Sequence, residues 1–530
     1  MQRLFFGNEN KTMNGPIKRV VIIGGGSAGW LTAGLLASEL STSSDAAVEV
    51  TLIESPDVQT IGVGEGTWPT MRVSLQKIGI SETEFLSRCA ASFKQGTRFS
   101  GWLNGASDDH YYHPFSVPAG YGELNLAEYW QQHRERVTFA DAVGVQGYLC
   151  DRNLAPKQPA TPEYAFVANY GYHLDAGKFA DLLKEHCTQK LGVRYLSDHV
   201  TGVNGSPDED IQSVSTERNH DVEGDLFIDC TGLRSLLLGE HYGIPFISRS
   251  SVLFNDSALA IQVPYSRPDS PIASQTISTA RAAGWIWDIG LQSRRGIGYT
   301  YSSAHTSEED ARHVLRDYFE SAGGEGSVAF EPRKIRFESG HRECFWHRNC
   351  VAIGMSAGFL EPLEASALVM IELAGQMITE EFPANREVMD IVARRYNKKF
   401  RYRWDRIIDF LKLHYILSRR DDSAFWRDNQ EPSGIPAGLG ELLELWKYQV
   451  PSQNDFPNFD EIFSAASYQF VLYGMGFETL VRRGSRYGRQ AENAEKLFIE
   501  NTENANRIIG KLPTNRALLR AITETADAPR

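Results

Sequence analysis

Cysteine is scarce in this sequence. Six residues (Cys89, Cys150, Cys187, Cys230, Cys344 and Cys350) are spread through 530 positions. They are too few and too scattered for a disulfide scaffold, and such usage fits a reducing compartment, so a cytoplasmic location is expected. Positive charge is also in short supply: 54 Lys and Arg face 67 Asp and Glu, a formal net charge of −13. That balance argues against a nucleic-acid partner. Apart from residues 20–37, no stretch approaches membrane-spanning length, so no membrane partner is expected. Residues 20–37 imitate a signal peptide, being uncharged and preceded by Lys18-Arg19. They also hold five glycines and open on a β-branched run, which a buried strand entering a glycine turn explains better. Internal repeats and low-complexity tracts are missing. The remaining composition, 42% hydrophobic and 23% charged, is that of a folded chain able to bury full cores without disulfide or metal.

Residues 1–17 read as a polar, poorly ordered leader. Arg19 to Ile23 reads as a buried strand, Ser27 to Leu40 as a helix and Val48 to Ile53 as a second strand, a βαβ unit that implies a parallel sheet. Residues 79–94 look helical, with Ser81 and Glu84 at capping-box spacing. Residues 101–125 read as an aromatic-rich loop, the start of an insert running to about 160. Strand patterns return at 225–229, 285–289, 298–301 and 350–353. Beyond 386 the text becomes long helical periods rich in Arg and Lys, and Pro383 marks the change. The expected fold is therefore α/β: a Rossmann-like GxGxxG module over 18–383 with additional β-sheet, then a mostly helical module over 384–530.

The GGGSAG run at 24–29 lies between the first strand and the first helix. Gly24 permits the tight turn, Gly26 lets a pyrophosphate approach the backbone, and Gly29 allows close helix–sheet packing. Gly25, Ser27 and Ala28 complete the turn, and the helix N-terminus offers free N–H groups to the anion. Glu54 ends the second strand, where a carboxylate accepts ribose hydroxyls and repels a 2′-phosphate. This is the one dinucleotide fingerprint in the chain. GDLFIDCTG at 224–232 adds a strand ending in a glycine turn, a pattern of FAD-binding folds. The Asp that flavin hydroxylases place after the glycine of their later strand is missing here; the residue is Met355.

GWIWDI at 284–289 resembles the WxWxI tract of the flavin-dependent tryptophan halogenases. Other stretches resemble the same family in the same order: GGGSAGW at 24–30, GVGEGTWP at 62–69, CAASFK at 89–94, HYYHPF at 110–115, FIDCTG at 227–232 and GFLEPLE at 358–364. LHY at 413–415 and DSAFWR at 422–427 belong to the set. The likeness spans about residues 18–480. It implies FAD, arriving as FADH2 from a separate reductase, and a halide, chloride or bromide. FADH2 and oxygen give a C4a-hydroperoxide, halide attack gives hypohalous acid, and a lysine holds that oxidant beside an indolic or other aromatic substrate. The motif lysine falls on Lys94 and the essential glutamate on Glu364. An amine restrains an otherwise indiscriminate oxidant, and a carboxylate stabilises the cation formed on the ring and takes its proton. The resemblance further places the halide on the N–H groups of Ser366 and Ala367, flavin contacts on Gly25, Ser27, Ala28, Glu65, Gly66, Met355 and Leu368, and the indole between His113 and Phe115.

Several family features are missing. Gly290 stands where WxWxIP has proline, and Ala365 and Ala367 stand where FxxPxxSxG has serine and glycine. No aromatic lid is evident in the C-terminal part, where Tyr468, Phe470 and Tyr473 are only looser candidates. The reading is a relative with an open site for indole or other indolic compounds, and a homodimer is compatible with it. An FAD-dependent aromatic monooxygenase and a flavin-binding protein without halogenating chemistry are the alternatives. Three decoys are set aside. GMSAG at 354–358 matches a nucleophile elbow, but the only later histidine, His414, sits inside a helical pattern rather than on a loop. His341, Cys344, His347 and Cys350 lead into a strand whose alternation keeps four ligands from converging, so no metal is expected. The basic, aromatic run 394–406 fits a helix with two faces better than a nucleic-acid patch.

Overall fold

The structure is a computed structural model, and it describes residues 15–41, 47–58, 64–323, 328–481 and 485–526. The first fourteen residues of the expected leader lie outside that set. At its end, Pro16 bridges to Asn385 and Ile17 is buried.

The charge-free run is what builds the first layer. Strand Arg19–Ile23 is buried along its length and lies between Leu226–Asp229 and Glu49–Glu54, both parallel to it. Cys350–Ala352 and Arg194–Ser197 extend the parallel order to either side, and Trp346–His347 closes one edge antiparallel. A parallel sheet has both faces covered, which explains why its central strand needs no polar alternation. Helix Ser27–Leu40 covers one face, packed against Ala176–Gln189 and Ser366–Glu380.

A seven-stranded sheet forms the second layer. Gly284–Gly290, which carries both signature tryptophans, pairs antiparallel with Thr276–Arg281 and Arg294–Tyr301. Its outer edge is Gly96–Ser100 paired with His110–Pro114. Helix Glu308–Ser321, capped by Ser307, lays Ala311, Leu315 and Phe319 on the far face against Leu259, Ile261 and Tyr299.

A small three-stranded sheet joins the two layers: Glu65–Gly66, Gly171–Leu174 and Ser92–Lys94. It corrects the helical reading of 79–94. Ser81 does cap a helix, accepting from the Glu84 N–H at 3.1 Å, but that helix ends at Arg88. Ala90 turns at φ +47° and Lys94 lies on a strand. The strand owes its existence to pairing with a partner eighty residues on, roughly, which local propensity does not register. The 101–125 loop likewise contains the strand His110–Pro114.

Beyond residue 380 the chain is helical. Asn385 caps the 31-residue helix Arg386–Ile416, which buries Tyr396, Phe400 and Trp404 on one side. The shorter helix Ala465–Gly474 packs on strand His110–Pro114. No helix among the described residues is long and apolar enough to cross a membrane.

Candidate active site

The glycines of the first turn divide into two kinds. A Cβ on Gly24, at φ +114°, would lie 2.2 Å from the Cys230 carbonyl oxygen, and one on Gly29 would lie 1.8 Å from the Gly24 carbonyl oxygen. These two serve the chain's own packing. Gly26 is extended, and a Cβ there would meet nothing within 4 Å. It faces open space at the start of a 14-residue helix whose first turn has no side-chain cap. A pyrophosphate fits that arrangement: bare N–H groups, an approachable backbone and the positive end of the helix dipole. Glu54 borders Gly25, and its Oε2 accepts from Lys184 Nζ at 2.8 Å and Tyr195 OH at 3.0 Å. Met355 is 37% exposed, with Cε 3.8 Å from the Cβ position of Gly232. Ala28 lies under Gly354, and Leu368 is buried on the Ser366–Glu380 helix. Ser356 is wholly buried, so the elbow-like motif presents no nucleophile. Gly62 and Val63 of the GVGEGTWP stretch lie outside the described residues.

Lys94 ends the strand Ser92–Lys94 and is 1% exposed. Its Nζ lies 5.2 Å above the Phe115 ring, and among the described residues no hydrogen bond or ion pair holds it. Burial pulls its pKa down to about 8, against the opposing pull of Glu364. Gly66 makes room for it: a Cβ there would lie 3.1 Å from Nζ and 3.2 Å from the Ala365 Cβ. The strand that ends in Gly66, the lysine and the 364–366 turn therefore meet at one point.

Glu364 and Ala365 are consecutive left-handed residues, at φ +64° and +55°, each without glycine's freedom. Such a pair costs on the order of 2 kcal/mol or more and persists only where surroundings over-determine it. The surroundings do. Trp68 Nε1 donates to the Glu364 carbonyl oxygen at 2.8 Å, and Ala365 N–H to Pro362 O at 3.1 Å. Just upstream, Oε2 of the buried Glu361 accepts from Asn255, from Trp285 Nε1 at 2.9 Å and from Tyr415 OH at 2.7 Å. The first signature tryptophan thus anchors the turn that carries Glu364. Directly after the turn, helix Ser366–Glu380 begins with no side-chain cap, so its first N–H groups, those of Ser366 and Ala367 among them, have no side-chain partner at the cap.

The Glu364 carboxylate is 4% exposed, and one of its oxygens is held from two sides. His113 Nδ1 donates to Oε1 at 2.8 Å. His414 Nε2 lies 3.3 Å from the same oxygen, without the alignment of a full hydrogen bond. Burial alone would raise this carboxyl, but the two imidazoles hold it well below the usual carboxylate range. Burial keeps the Tyr111 phenol protonated, so its hydroxyl donates to His414 Nδ1 at 2.6 Å. Burial likewise lowers the His414 pKa, which leaves a neutral ring with its Nε2–H turned toward Glu364. Oε2 stays free of these contacts.

Around the carboxylate stands an aromatic wall. Phe410 and Phe463 stack at 3.8 Å, Phe463 meets Trp68 edge-on at 4.9 Å, and His113 faces Phe410, Phe463 and Phe470 at 5.5–6.4 Å. Of the looser lid candidates, Phe470 is therefore at the site and Tyr468 is behind it, against Phe410, Trp446 and Phe456. Tyr473 packs away from it, on Trp130 and Phe139. Sequence reasoning missed four members. Trp68 and His414 lay inside quoted motifs without a role, while Phe410 and Phe463 carry no local signal.

Comparison with known proteins identifies the family. The tryptophan halogenase family profile matches residues 19–486. A tryptophan 6-halogenase of Streptomyces toxytricini, SttH, is 34% identical over 518 residues, covering 94% of this chain and 96% of its own. The crystal structure of a tryptophan halogenase from Shewanella frigidimarina superposes with a TM-score of 0.94 at 50% identity, covering 97% of this chain and 98% of that one. BrvH, a flavin-dependent halogenase from a Brevundimonas species, gives 0.83 at 30% identity, covering 95% and 99%.

Proposed function

The chain belongs to the tryptophan halogenase family, and from that premise we propose that it halogenates a compact indolic arene by delivering hypohalous acid to Lys94. The family is flavin-dependent, and the glycine cradle at 24–29 is suited to FAD. FADH2 with oxygen and a halide supplies the hypohalous acid; with one dinucleotide fingerprint in the chain, FADH2 arrives from a separate reductase, and a cytoplasmic setting suits both. The rest is the work of this chain's residues. Gly24 to Gly29, Glu54, Glu65, Gly66, Met355 and Leu368 hold the flavin, and the Ser366 and Ala367 N–H groups hold the halide. Lys94 binds the oxidant one step from the ring. His113 and Phe115 pack on the arene, and Glu364, its Oε1 clamped by imidazoles, offers Oε2 to the developing ring cation and its departing proton.

The observation that carries this reading is the meeting of Gly66, Lys94 and Ala365 within little more than 3 Å of one point. It joins the flavin side to the substrate side through the amine. The test is a product screen: purified protein with FADH2, oxygen, indole and either bromide or chloride, read by mass spectrometry. Halogenated indole is the expected product. Hydroxylated indole without halogen, or no product across an indole panel, overturns the assignment.

The cradle makes a separate prediction. Gly26→Ala keeps the wild-type melting temperature, because its methyl meets open space. It weakens FAD binding about tenfold or more, read by flavin fluorescence titration, because that space belongs to the pyrophosphate. Gly29→Ala instead lowers the melting temperature, since its methyl overlaps the Gly24 carbonyl.

A further inference from the structure

The strand that carries Lys94 is an edge strand. In its three-stranded sheet, Ser92–Lys94 has a strand neighbour on one side only, Gly171–Leu174. Tyr172 of that neighbour spends both backbone groups on its other side, accepting from Thr67 N–H at 2.7 Å and donating to Thr67 Oγ1 at 2.8 Å. Phe93, directly opposite Tyr172, therefore turns its carbonyl outward. Phe93 is fully buried, so that carbonyl needs a donor from elsewhere in the chain.

The donor comes from the far end of the sequence. Asn515 opens the helix Asn515–Ala526, beyond the residues matched by the family profile, which end at 486. Thr514 caps that helix, its Oγ1 accepting from Ala517 N–H at 3.2 Å. The Asn515 side chain is fully buried, and its Nδ2 donates to Phe93 O at 3.0 Å and to Ala273 O at 3.3 Å. Two carbonyl acceptors call for two N–H groups on one atom, which a side-chain amide supplies. The residue after the lysine is tied to the same segment. Gln95 Nε2 donates to Leu154 O at 2.7 Å, and Leu154 bridges to Thr514. Gln95 O in turn accepts from Phe115 N–H at 3.0 Å, which brings the ring facing Lys94 Nζ into the network. Among the described residues no hydrogen bond or ion pair holds the amine, so the backbone on either side of Lys94 decides where it stands.

We propose that Asn515 is a positioning residue for Lys94: it closes the open edge of the lysine strand and so holds the amine where it captures the oxidant. The proposal rests on the halogenase reading above. Asn515 acts through Phe93 and is no part of the chemistry itself. Asn515→Leu keeps the shape and the burial but deletes both donors, which leaves the strand edge without its tie. A catalytic group displaced by about an ångström loses on the order of a hundredfold, and a strand displaced part of the time loses about tenfold. Asn501 supplies the control. Its amide also donates to backbone carbonyls, those of Asp141, Ala142 and Gly144, and none of them is on the lysine strand.

Two measurements on the full-length protein test it. Amide hydrogen exchange of the peptide 89–96, read by mass spectrometry, is expected to be about tenfold faster in Asn515→Leu than in wild type and unchanged in Asn501→Ala. Turnover with FADH2, oxygen, bromide and indole, in the presence of a hypohalous acid scavenger, gives a captured fraction. That fraction is halogenated indole divided by the sum of halogenated indole and trapped oxidant. It is expected to fall about tenfold in Asn515→Leu, with the sum unchanged within about twofold, and to hold in Asn501→Ala. Wild-type exchange or a wild-type fraction in a folded Asn515→Leu protein overturns the proposal. An equal change in Asn501→Ala also overturns it, because loss of any buried amide contact would then suffice. Asn515→Ala replaces the leucine variant should that one fail to fold. Absence of halogenated indole from wild type strikes the functional reading, and the exchange comparison then decides by itself whether Asn515 holds the strand.

Discussion

Lys94→Met yields no halogenated indole, a fall of at least about a thousandfold in product formation, while halide-dependent hypohalous acid is still released into solution. The release is read by trapping with a thiol or monochlorodimedone-type scavenger. The reasoning is positional: Nζ lies beside Gly66 and within electrostatic reach of Glu364. Met replaces the stem and deletes the amine, and with it the contact of Nζ over the Phe115 ring. Stability separates this result from misfolding. The fall from the ordinary 10.5 to about 8 means that burial disfavours the ammonium by about 3 kcal/mol. A lowered lysine pKa in the folded chain carries its full cost below pH 8, and the cost fades between pH 8 and 10.5 as the unfolded lysine also loses its proton. Lys94→Met should therefore melt no lower than wild type at pH 7, with any gain shrinking toward pH 10. Retained product, with the melting temperature intact, would remove Lys94 from the mechanism. In the wild-type enzyme the same titration places a limb near pH 8 in the rate profile. A rate that falls through it assigns the work to the ammonium, and a rate that rises assigns it to the amine.

Much of the first layer is legible because its causes are local. A buried β-branched run, a glycine turn and an apolar helix lie in sequence order at 19–40, and the structure holds those elements there. Motif resemblance carried the family. Local pattern failed where distant pairing decides. Ser92 to Lys94 has no strand signal of its own, and it is a strand because Gly171–Leu174 lies beside it. The same holds for the site. Strand alternation places His113 on one face of His110–Pro114, but that this face meets Glu364 follows from the Gly96–Pro114 register and the 364–365 backbone, neither readable in one dimension. His414 shows the limit most plainly. Its place inside a helix disqualifies it from a hydrolase triad, yet that helix, Arg386–Ile416, is what carries the imidazole to the carboxylate. Phe463 lies outside the helices, in the segment before Ala465–Gly474, and reaches the wall by stacking on Phe410 and meeting Trp68 edge-on.

Glu364→Gln lowers kcat for halogenation about a hundredfold to a thousandfold while leaving the dissociation constant for indole within about threefold. Glutamine has the same shape, and its carbonyl still accepts from His113 Nδ1, so the two left-handed residues and the Trp68 contact are kept. What disappears is the charge. In wild type the imidazoles hold this carboxyl well below the usual range, so it is an anion throughout the pH span in which the enzyme is assayed. A carboxylate so held is a weak base in the ground state, but the ring cation is a far stronger acid than any neutral arene, so a weak base suffices to take its proton. Its larger contribution is to meet developing positive charge in a site from which water is excluded, where electrostatic terms are greatest. Two measurements check this. The acid side of the wild-type kcat profile should show no limb between pH 4 and 6 from Glu364, because its folded pKa lies below that window. The deuterium isotope effect at the halogenated ring position should rise in Glu364→Gln, since loss of the anion slows proton departure relative to halogen attack. A variant with wild-type kcat, or one whose loss lies wholly in indole affinity, would make Glu364 a binding residue and leave the charge without a role in the chemical step.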